Sequence, residues 1–300
     1  MERAGEKLES GTNYYVIAGI FISILFFILA NALEPQVNEQ LDLFELIFIL
    51  AYASPAVFSF AIAKRYWPSK VFGKAYLALG IAYSLTAIGA SLFDYFQMAG
   101  MENPYPYWPD LFFAAFYPFA IYHLRTNIHF IRGAQKPRLK KNQVLLLVII
   151  PLGVTLFYAY GAWVYDPSLG LFDLDKARNT ESYVDGTPVN MVPRILTLTT
   201  SERTEHDQEF INGYLVGIYF VAATSLTFAW TIIGAQVFRG SVLGLPWGML
   251  LVGIGLNTVA DVSYYYTSIQ GYDRSNAIIG LWVLGCMMVS YALYMHKKQI

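Results

Sequence analysis

Charged residues are scarce in this sequence. Lysine, arginine, aspartate and glutamate make up 14% of its 300 residues, whereas a soluble domain has about 25%. Hydrophobic residues reach 56% and aromatic residues 17%. This composition excludes an ordinary soluble domain and indicates an integral membrane protein.

Cysteine and the common catalytic signatures are also absent or nearly so. The single cysteine, Cys286, lies in an apolar run, so no intrachain disulfide can form. The sequence has no Gly-x-x-x-x-Gly-Lys phosphate loop and no His-Glu-x-x-His pair, which removes common nucleotide and zinc-hydrolase signatures. No predicted span has a lysine near its middle that could bind retinal. We expect no enzyme, no cofactor and no metal site.

Long apolar runs are abundant instead. A helix that crosses a hydrocarbon core of about 30 Å needs about 20 residues. Eight segments meet this requirement, at 14–33, 43–63, 75–96, 107–124, 143–164, 211–236, 246–268 and 275–295. The fourth is the weakest because His123, Arg125, Asn127 and His129 make its end polar. The first is interpreted as an uncleaved anchor, because the leader before it is not basic. The sequence predicts an all-α membrane protein with eight transmembrane helices in a single domain, residues 1–300.

The basic residues predict the orientation in the membrane. Fifteen lysines and arginines fall on the side of both termini, and five fall on the other side. Because cytoplasmic loops carry an excess of these residues, we expect both termini in the cytoplasm and the protein in the plasma membrane. The only sizeable loop, 165–210, then lies outside the cell as a possible lid. Its end, 202–209, has one histidine among carboxylates, which favours an acidic helix start over a metal site.

The third and seventh spans end alike. The first of these ends reads Ala90-Ser-Leu-Phe-Asp94-Tyr95, and the second reads Ala260-Asp261-Val-Ser-Tyr264-Tyr265. Each is followed by a short loop and a last aromatic span. This pattern predicts two parallel four-helix repeats, 14–130 and 143–296, related by an axis along the membrane normal. Chance similarity between aromatic helix ends is the alternative.

Asp261 is the deepest carboxylate in any predicted span. Asn257 lies one helical turn before it, and Tyr264 and Tyr265 continue the same side of the helix. A carboxylate at the centre of a membrane helix costs about 2.5–3.5 kcal/mol, so something must offset it. We predict a ligand site at these four residues. The alternative is an interhelical hydrogen bond that only fixes packing.

The first half supplies counterparts to this site near the predicted outer surface. Asp94 and Tyr95 end the third span, and Trp108 and Asp110 begin the fourth. We predict that these four residues complete the ligand site in an aromatic-lined pocket. The alternatives are a carboxylate wetted by lipid headgroups and an ordinary belt of interfacial aromatic residues.

Prolines and histidines inside the spans have simpler explanations. Pro55, Pro118 and Pro151 should kink their helices and free carbonyl groups that then need hydrogen-bond partners. His123 and His296, at predicted cytoplasmic ends, are explained by anchoring at the interface.

The stretch Pro104-Tyr-Pro106-Tyr-Trp-Pro-Asp110, followed by Tyr117-Pro118, resembles a signature of multi-span sensor regions. Such regions precede diguanylate cyclase and histidine kinase output domains in bacteria and archaea. Ala260-Asp261 and Gly280-Leu-Trp282 resemble the second half of that pattern. Pro109 departs from it, since the family usually has alanine before the aspartate. The resemblance implies stimulus sensing across a membrane.

We expect a stand-alone sensor or receptor-like module. No output domain follows the last span before Ile300, so a signal would need a separate cytoplasmic protein. Two alternatives are an accessory subunit of a membrane complex and a small-solute transporter. The expected partners are the lipid bilayer, a signalling protein or complex subunits, and an unknown small molecule, with no nucleic acid.

Overall fold

The computed structural model describes residues 43–99, 108–132, 139–164, 182–184, 187–189, 205–267 and 277–299. These residues form seven helices and one small hairpin. The helices are α1 (Leu43–Arg65), α2 (Lys70–Met98), α3 (Trp108–Arg132), α4 (Lys141–Val164), α5 (Glu205–Phe238), α6 (Gly244–Thr267) and α7 (Ala277–Gln299). The hairpin pairs β1 (Ser182–Val184) with β2 (Thr187–Val189) in antiparallel register, with Tyr183 opposite Pro188.

The all-α membrane architecture is confirmed for the described residues. Six helices, all but α3, are long and apolar enough to cross a membrane. The fourth predicted span forms helix α3, but its polar end makes it less apolar than the others. The first predicted span, 14–33, lies outside the described residues, so eight spans stay a prediction. The sequence analysis did not predict the hairpin that the structure shows within 165–210.

Local sequence explains where several helices begin and end. Helix α3 begins with Pro109 and Asp110 in its first turn, where a missing N–H costs nothing and a negative charge favours the helix dipole. Helix α5 begins at Glu205, so the acidic stretch starts a helix, as predicted. After α5 ends, Gly240 adopts a φ of 79°, which a side chain would strain, and Ser241 Oγ donates to the carbonyl of Phe238 at 2.6 Å.

Six helices close into a ring in the order α1, α2, α3, α5, α6, α7 and back to α1. Helix α4 lies outside this ring against α5 and α6, and most of its side chains are exposed. The contacts are the same when α1, α2 and α3 are exchanged with α5, α6 and α7, respectively. The contact of α3 with α5, for example, then becomes the contact of α7 with α1. Two repeats related by an axis through the ring require this arrangement. The duplication itself stays a prediction.

The two ends of the ring differ in charge. Helices α1, α3, α5 and α7 begin at one end of the ring, where α2 and α6 terminate. We call it the cavity end, because a cavity inside the ring lies near it. The opposite end is called the basic end, because every lysine and arginine among the described residues belongs to that half of its helix or to an adjoining turn. This segregation agrees with the charge bias that predicted the orientation.

In two helices, the carbonyl that a proline leaves without an N–H donor accepts a hydrogen bond from a side-chain hydroxyl. Proline lacks the N–H that would bond the carbonyl four residues earlier. Pro118 frees the carbonyl of Ala114, which accepts from Tyr219 Oη of α5 at 3.1 Å. Pro55 frees the carbonyl of Ala51, which accepts from Ser54 Oγ at 3.0 Å. The predicted need for partners is therefore confirmed at these two positions.

The anchoring interpretation of His123 and His296 is wrong. Both side chains are buried, with exposures of 1% and 4%. A ring nitrogen of His123 lies 3.0 Å from the carbonyl of Ala75, and Nε2 of His296 lies 3.1 Å from Tyr76 Oη. His123 also stacks on Trp247. Helix packing buries these imidazoles in a layer of side chains that fills the interior of the ring towards the basic end.

Candidate functional site

A cavity of about 190 Å³ lies inside the ring near its cavity end. All six ring helices line it, and the exterior helix α4 does not. Eleven of the lining residues are aromatic: Phe48, Tyr52, Tyr83, Phe93, Phe113, Phe116, Tyr117, Phe220, Tyr264, Tyr265 and Trp282. The others are Thr86, Ala90, Asp94, Asp110, Asn257, Asp261 and Ile279. A cavity of about 150 Å³ can hold benzene, so this one has room for a small organic molecule.

Asp261 joins three helices at the wall of this cavity. Its Oδ1 accepts from Trp282 Nε1 of α7 at 2.7 Å, and its Oδ2 accepts from Tyr117 Oη of α3 at 3.0 Å. An indole N–H can only donate, so the carboxylate is an acceptor at Oδ1. Six residues separate Asp261 from the end of α6, which places it about 9 Å below that end. The hydrogen bonds compensate the burial of the carboxylate and also fix packing, as the alternative interpretation expected.

Asn257 lies one turn deeper on α6, against the backbone of α7. A Cβ added at Gly285 would run into the Asn257 amide and would lie 2.8 Å from the carbonyl of Gly253. Glycine at 285 is what lets the amide reach this position. Among the described residues, Asn257 Oδ1 has no hydrogen-bond partner although the atom is buried. A buried acceptor without a donor costs about 1–3 kcal/mol, so this group has capacity for a further hydrogen bond.

Tyr83 provides a second polar atom of the same kind. Its side chain is 1% exposed and lines the cavity from α2. Its hydroxyl has no hydrogen-bond partner among the described residues. Its ring packs edge-on against Phe116 at 5.1 Å, which fixes the direction of the hydroxyl. Tyr83 and Asn257 therefore both line the cavity, and each has a buried polar atom that is not itself exposed to the cavity.

Ring contacts make the aromatic wall continuous. Phe220 stacks on Tyr265 with centroids 5.0 Å apart, and Tyr265 meets Tyr264 edge-on at 5.1 Å. Tyr264 lies 5.3 Å from Trp282, which also contacts Phe48. Such pairs contribute about 0.5–1.5 kcal/mol each beyond area burial, so the wall is well packed around the cavity.

Six of the eight predicted site residues line this one cavity: Asn257, Asp261, Tyr264, Tyr265, Asp94 and Asp110. The other two do not line it. Tyr95 and Trp108 are 58% and 69% exposed, respectively, on the outer surface of the bundle. Each is one or two positions from a lining aspartate, and neighbouring residues on a helix point in different directions. For these two residues the belt interpretation fits better than the pocket interpretation.

Several lining residues were not among the predicted site residues. Tyr117 and Trp282 belong to the stretches that carry the sensor-like signature, and this was the one available sign of their importance. Tyr52, Tyr83 and Phe220 had no such sign, because aromatic residues inside apolar helices are common. Their convergence depends on the closing of the ring.

The carboxylates do not converge as metal ligands. Within the described segments, no group of three or more histidine, cysteine, aspartate or glutamate side chains could hold a metal ion. The arrangement instead offers hydrogen-bond acceptors and ring faces around a small volume. It can bind an organic molecule without any bond-making chemistry.

Comparisons with known proteins add no family to this picture. No family model, no curated protein and no solved structure matches the chain. The likeness to multi-span sensor regions consequently stays a resemblance, and what is established is a multi-pass helical membrane protein.

Proposed function

We propose that this chain is a multi-pass membrane receptor that binds a small molecule in the ring cavity. The observation that carries the proposal is Asp261, a carboxylate held by donors from α3 and α7 at the wall of a cavity. The volume of that cavity and its aromatic lining support binding over packing alone. The bias of lysine and arginine towards the basic end supports an orientation with the cavity end outside the cell, and the plasma membrane is part of the proposal.

A ligand at Asp261 would act on the packing of the ring. The carboxylate ties α6 to α3 and α7, and both partner helices continue to the basic end. A molecule that competes for the carboxylate oxygens changes both hydrogen bonds at once. A preference for one of two helix arrangements then shifts their populations, which is how a bound ligand can be reported across a membrane. A separate cytoplasmic protein would receive the signal at the basic end.

Ligand-dependent stability tests this proposal. The purified protein is screened against a broad library of small molecules, and the unfolding temperature is measured for each. We expect at least one class of compound to raise it, because binding to the folded state alone stabilises by mass action. Asp261→Asn should abolish the rise, and Ser91→Ala should keep it. Ser91 is an exposed residue of α2, and its hydroxyl bonds only within its own helix.

Three results would count against a receptor. Absence of stabilisation by any library compound would remove the binding site. A rise that survives Asp261→Asn would place binding elsewhere. Purification with a stoichiometric partner, without any ligand effect, would favour the accessory-subunit alternative.

A transporter is the second candidate, since the cavity is lined by both predicted repeats. A site between repeats is where many transporters hold their substrate. The layer towards the basic end argues the other way, because His123 packs between Tyr76 and Trp247, and Trp247 stacks on Phe238 at 4.3 Å. A transporter must open this layer during each cycle, whereas a receptor need not. Uptake into proteoliposomes of a compound that stabilises the protein would decide for transport.

A further inference from the structure

Several polar groups around the cavity are already bonded within the protein. The hydroxyl of Thr86 donates to the carbonyl of Ala82 in its own helix at 3.2 Å. The hydroxyl of Tyr117 and the indole N–H of Trp282 both donate to Asp261. These three donors are therefore not available to a guest molecule.

Two further polar groups do not reach the cavity surface. Tyr83 Oη and Asn257 Oδ1 are buried atoms, so they offer a guest nothing to bond. Most of the surface that a guest meets is apolar, and eleven of the lining side chains are aromatic. A molecule with many polar groups, such as a sugar, would leave most of them without partners, and burying a polar group unbonded is unfavourable. An aromatic ring, by contrast, packs well against other rings, either offset or edge-on.

Asp261 keeps an acceptor for a guest. Each carboxylate oxygen has two lone pairs, and Trp282 and Tyr117 use one on each oxygen. The side chain lines the cavity and is partly exposed. Asp94 and Asp110 also line the cavity, but they take part in other interactions of the protein. A guest with one hydroxyl or N–H donor can therefore bond to Asp261.

The number of donors and the volume narrow the ligand further. An ammonium group has three N–H donors, and one side chain does not satisfy them all, whereas the single donor of a hydroxyl needs only one lone pair. The volume of about 190 Å³ limits the guest to roughly ten non-hydrogen atoms, by comparison with benzene in about 150 Å³. A peptide, a nucleotide or a whole lipid tail is larger than this.

We infer that the ligand of this cavity is a small, neutral aromatic molecule of the phenol type, with a single hydrogen-bond donor. Its ring packs against the aromatic wall, and its hydroxyl donates to Asp261. The inference rests on the proposed function, since it names the ligand class of the same site.

Matched probes test the donor, the ring and the charge separately. The probe is 4-ethylphenol. Its methyl ether removes the donor, 4-ethylcyclohexanol removes the aromatic ring, and 2-phenylethylammonium adds a charge. Affinities are measured by titration calorimetry on the full chain in lipid nanodiscs, and empty nanodiscs correct for partition into lipid. We expect the phenol to bind at least about tenfold more tightly than the ether or the ammonium, a difference of about 1.4 kcal/mol, and at least about threefold more tightly than the cyclohexanol.

Asp261→Asn tests the hydrogen bond to the ligand. The amide has one acceptor oxygen where the carboxylate has two, and Trp282 and Tyr117 already donate at this position. We expect the affinity for 4-ethylphenol to fall at least about tenfold, while the affinity for its methyl ether changes by less than about threefold.

Filling the cavity tests where the ring binds. Ala90 lines the cavity from α2 and is buried. Ala90→Leu places a larger side chain there and should lower the affinity for 4-ethylphenol at least about tenfold. Ser91→Leu, at the exposed neighbouring position of the same helix, should leave it unchanged. Ile279→Ala widens the cavity from α7, so it should raise the affinity for 4-tert-butylphenol relative to 4-ethylphenol, and it keeps the test open if Ala90→Leu does not fold.

The outcomes separate the two proposals. Equal binding of the phenol and its methyl ether, or a preference for the phenol that survives Asp261→Asn, overturns the inference and leaves a small-molecule site. Tighter binding of the ammonium also overturns it, in favour of a cation. Binding of 4-dodecylphenol as tight as that of 4-ethylphenol overturns it as well, because the cavity would then accept a lipid tail. If no phenol binds, the inference fails, and the library screen on the same protein decides the receptor proposal independently.

Discussion

Removing either donor to Asp261 should destabilise the bundle by an amount that the geometry bounds. Tyr117→Phe deletes the hydroxyl that donates at 3.0 Å and keeps the ring. Trp282→Phe deletes the N–H that donates at 2.7 Å, but it also shrinks a ring that contacts Phe48 and Tyr264. Tyr117→Phe is therefore the cleaner perturbation.

Two ranges of measured hydrogen-bond energies bound the loss of stability that we expect from Tyr117→Phe. A hydrogen bond to a charged group contributes about 1.5–3 kcal/mol in proteins generally. Hydrogen bonds between membrane helices average about 0.6 kcal/mol and reach about 1.7, because the unfolded chain in the membrane also finds partners. A hydrogen bond to a buried carboxyl group inside the ring should lie in the upper part of the second range. We expect Tyr117→Phe to lower the free energy of unfolding by about 1–1.5 kcal/mol.

A double-mutant cycle isolates the bond from other effects of the substitution. Asp261→Leu removes both acceptor oxygens while keeping a branched side chain of similar length. Tyr117→Phe in that background should cost little, which gives a coupling energy of about 1 kcal/mol. Unfolding is followed by denaturing-detergent titration in mixed micelles. A coupling energy below about 0.3 kcal/mol would refute the view that this hydrogen bond holds α3 against α6.

Two more substitutions test the close contact between α6 and α7 at Gly285 and the hydrogen bond to the carbonyl that Pro118 leaves without its N–H partner. Gly285→Ala should lower the free energy of unfolding by about 1–3 kcal/mol, since its Cβ meets the Asn257 amide and lies 2.8 Å from the carbonyl of Gly253; an unchanged detergent-unfolding midpoint would contradict this contact. Tyr219→Phe should cost about 0.5–1.5 kcal/mol by leaving the carbonyl of Ala114 without a donor. In a Pro118→Ala background, the restored backbone N–H of residue 118 can donate to the carbonyl of Ala114. Tyr219→Phe should then lower the free energy of unfolding by less. An equal loss of stability in both backgrounds would show that Tyr219 does not act by compensating for Pro118.

The helices were predictable because membrane helices leave a direct record in sequence. Each span is a long apolar run, and the loops between spans carry the charges. Helix α5 nevertheless begins at Glu205, six residues before the predicted start at 211. Hydropathy marks the part of a helix that lies in lipid, whereas the hydrogen-bonded helix continues into water. In helix α3, two of the polar residues that weakened the predicted span, His123 and Asn127, are buried inside the ring.

The candidate site was only partly predictable. Asp261 was found because a carboxylate in an apolar run is costly and therefore conspicuous. Trp282 and Tyr117, which compensate that cost, looked like ordinary interfacial or core rings. Tyr95 does not line the cavity, and the sequence could not show this, since composition says that a ring is near the surface but not which way it points. Direction depends on how helices from distant parts of the chain pack.

The predicted duplication and the site point to different symmetries, and the difference bears on function. The helix packing of one half maps onto the other, yet the polar groups do not. Asp261 aligns with Ser91, which is exposed and bonds the carbonyl of Ala87 in its own helix. Asp94 aligns with Tyr264, and both line the same cavity. The ring thus has one deep carboxylate, on α6, and its hydrogen bonds reach α3 in one half and α7 in the other. If the proposed receptor function is right, a ligand bound there would act unequally on the two halves, and that unequal action would convert binding into relative movement of the helices.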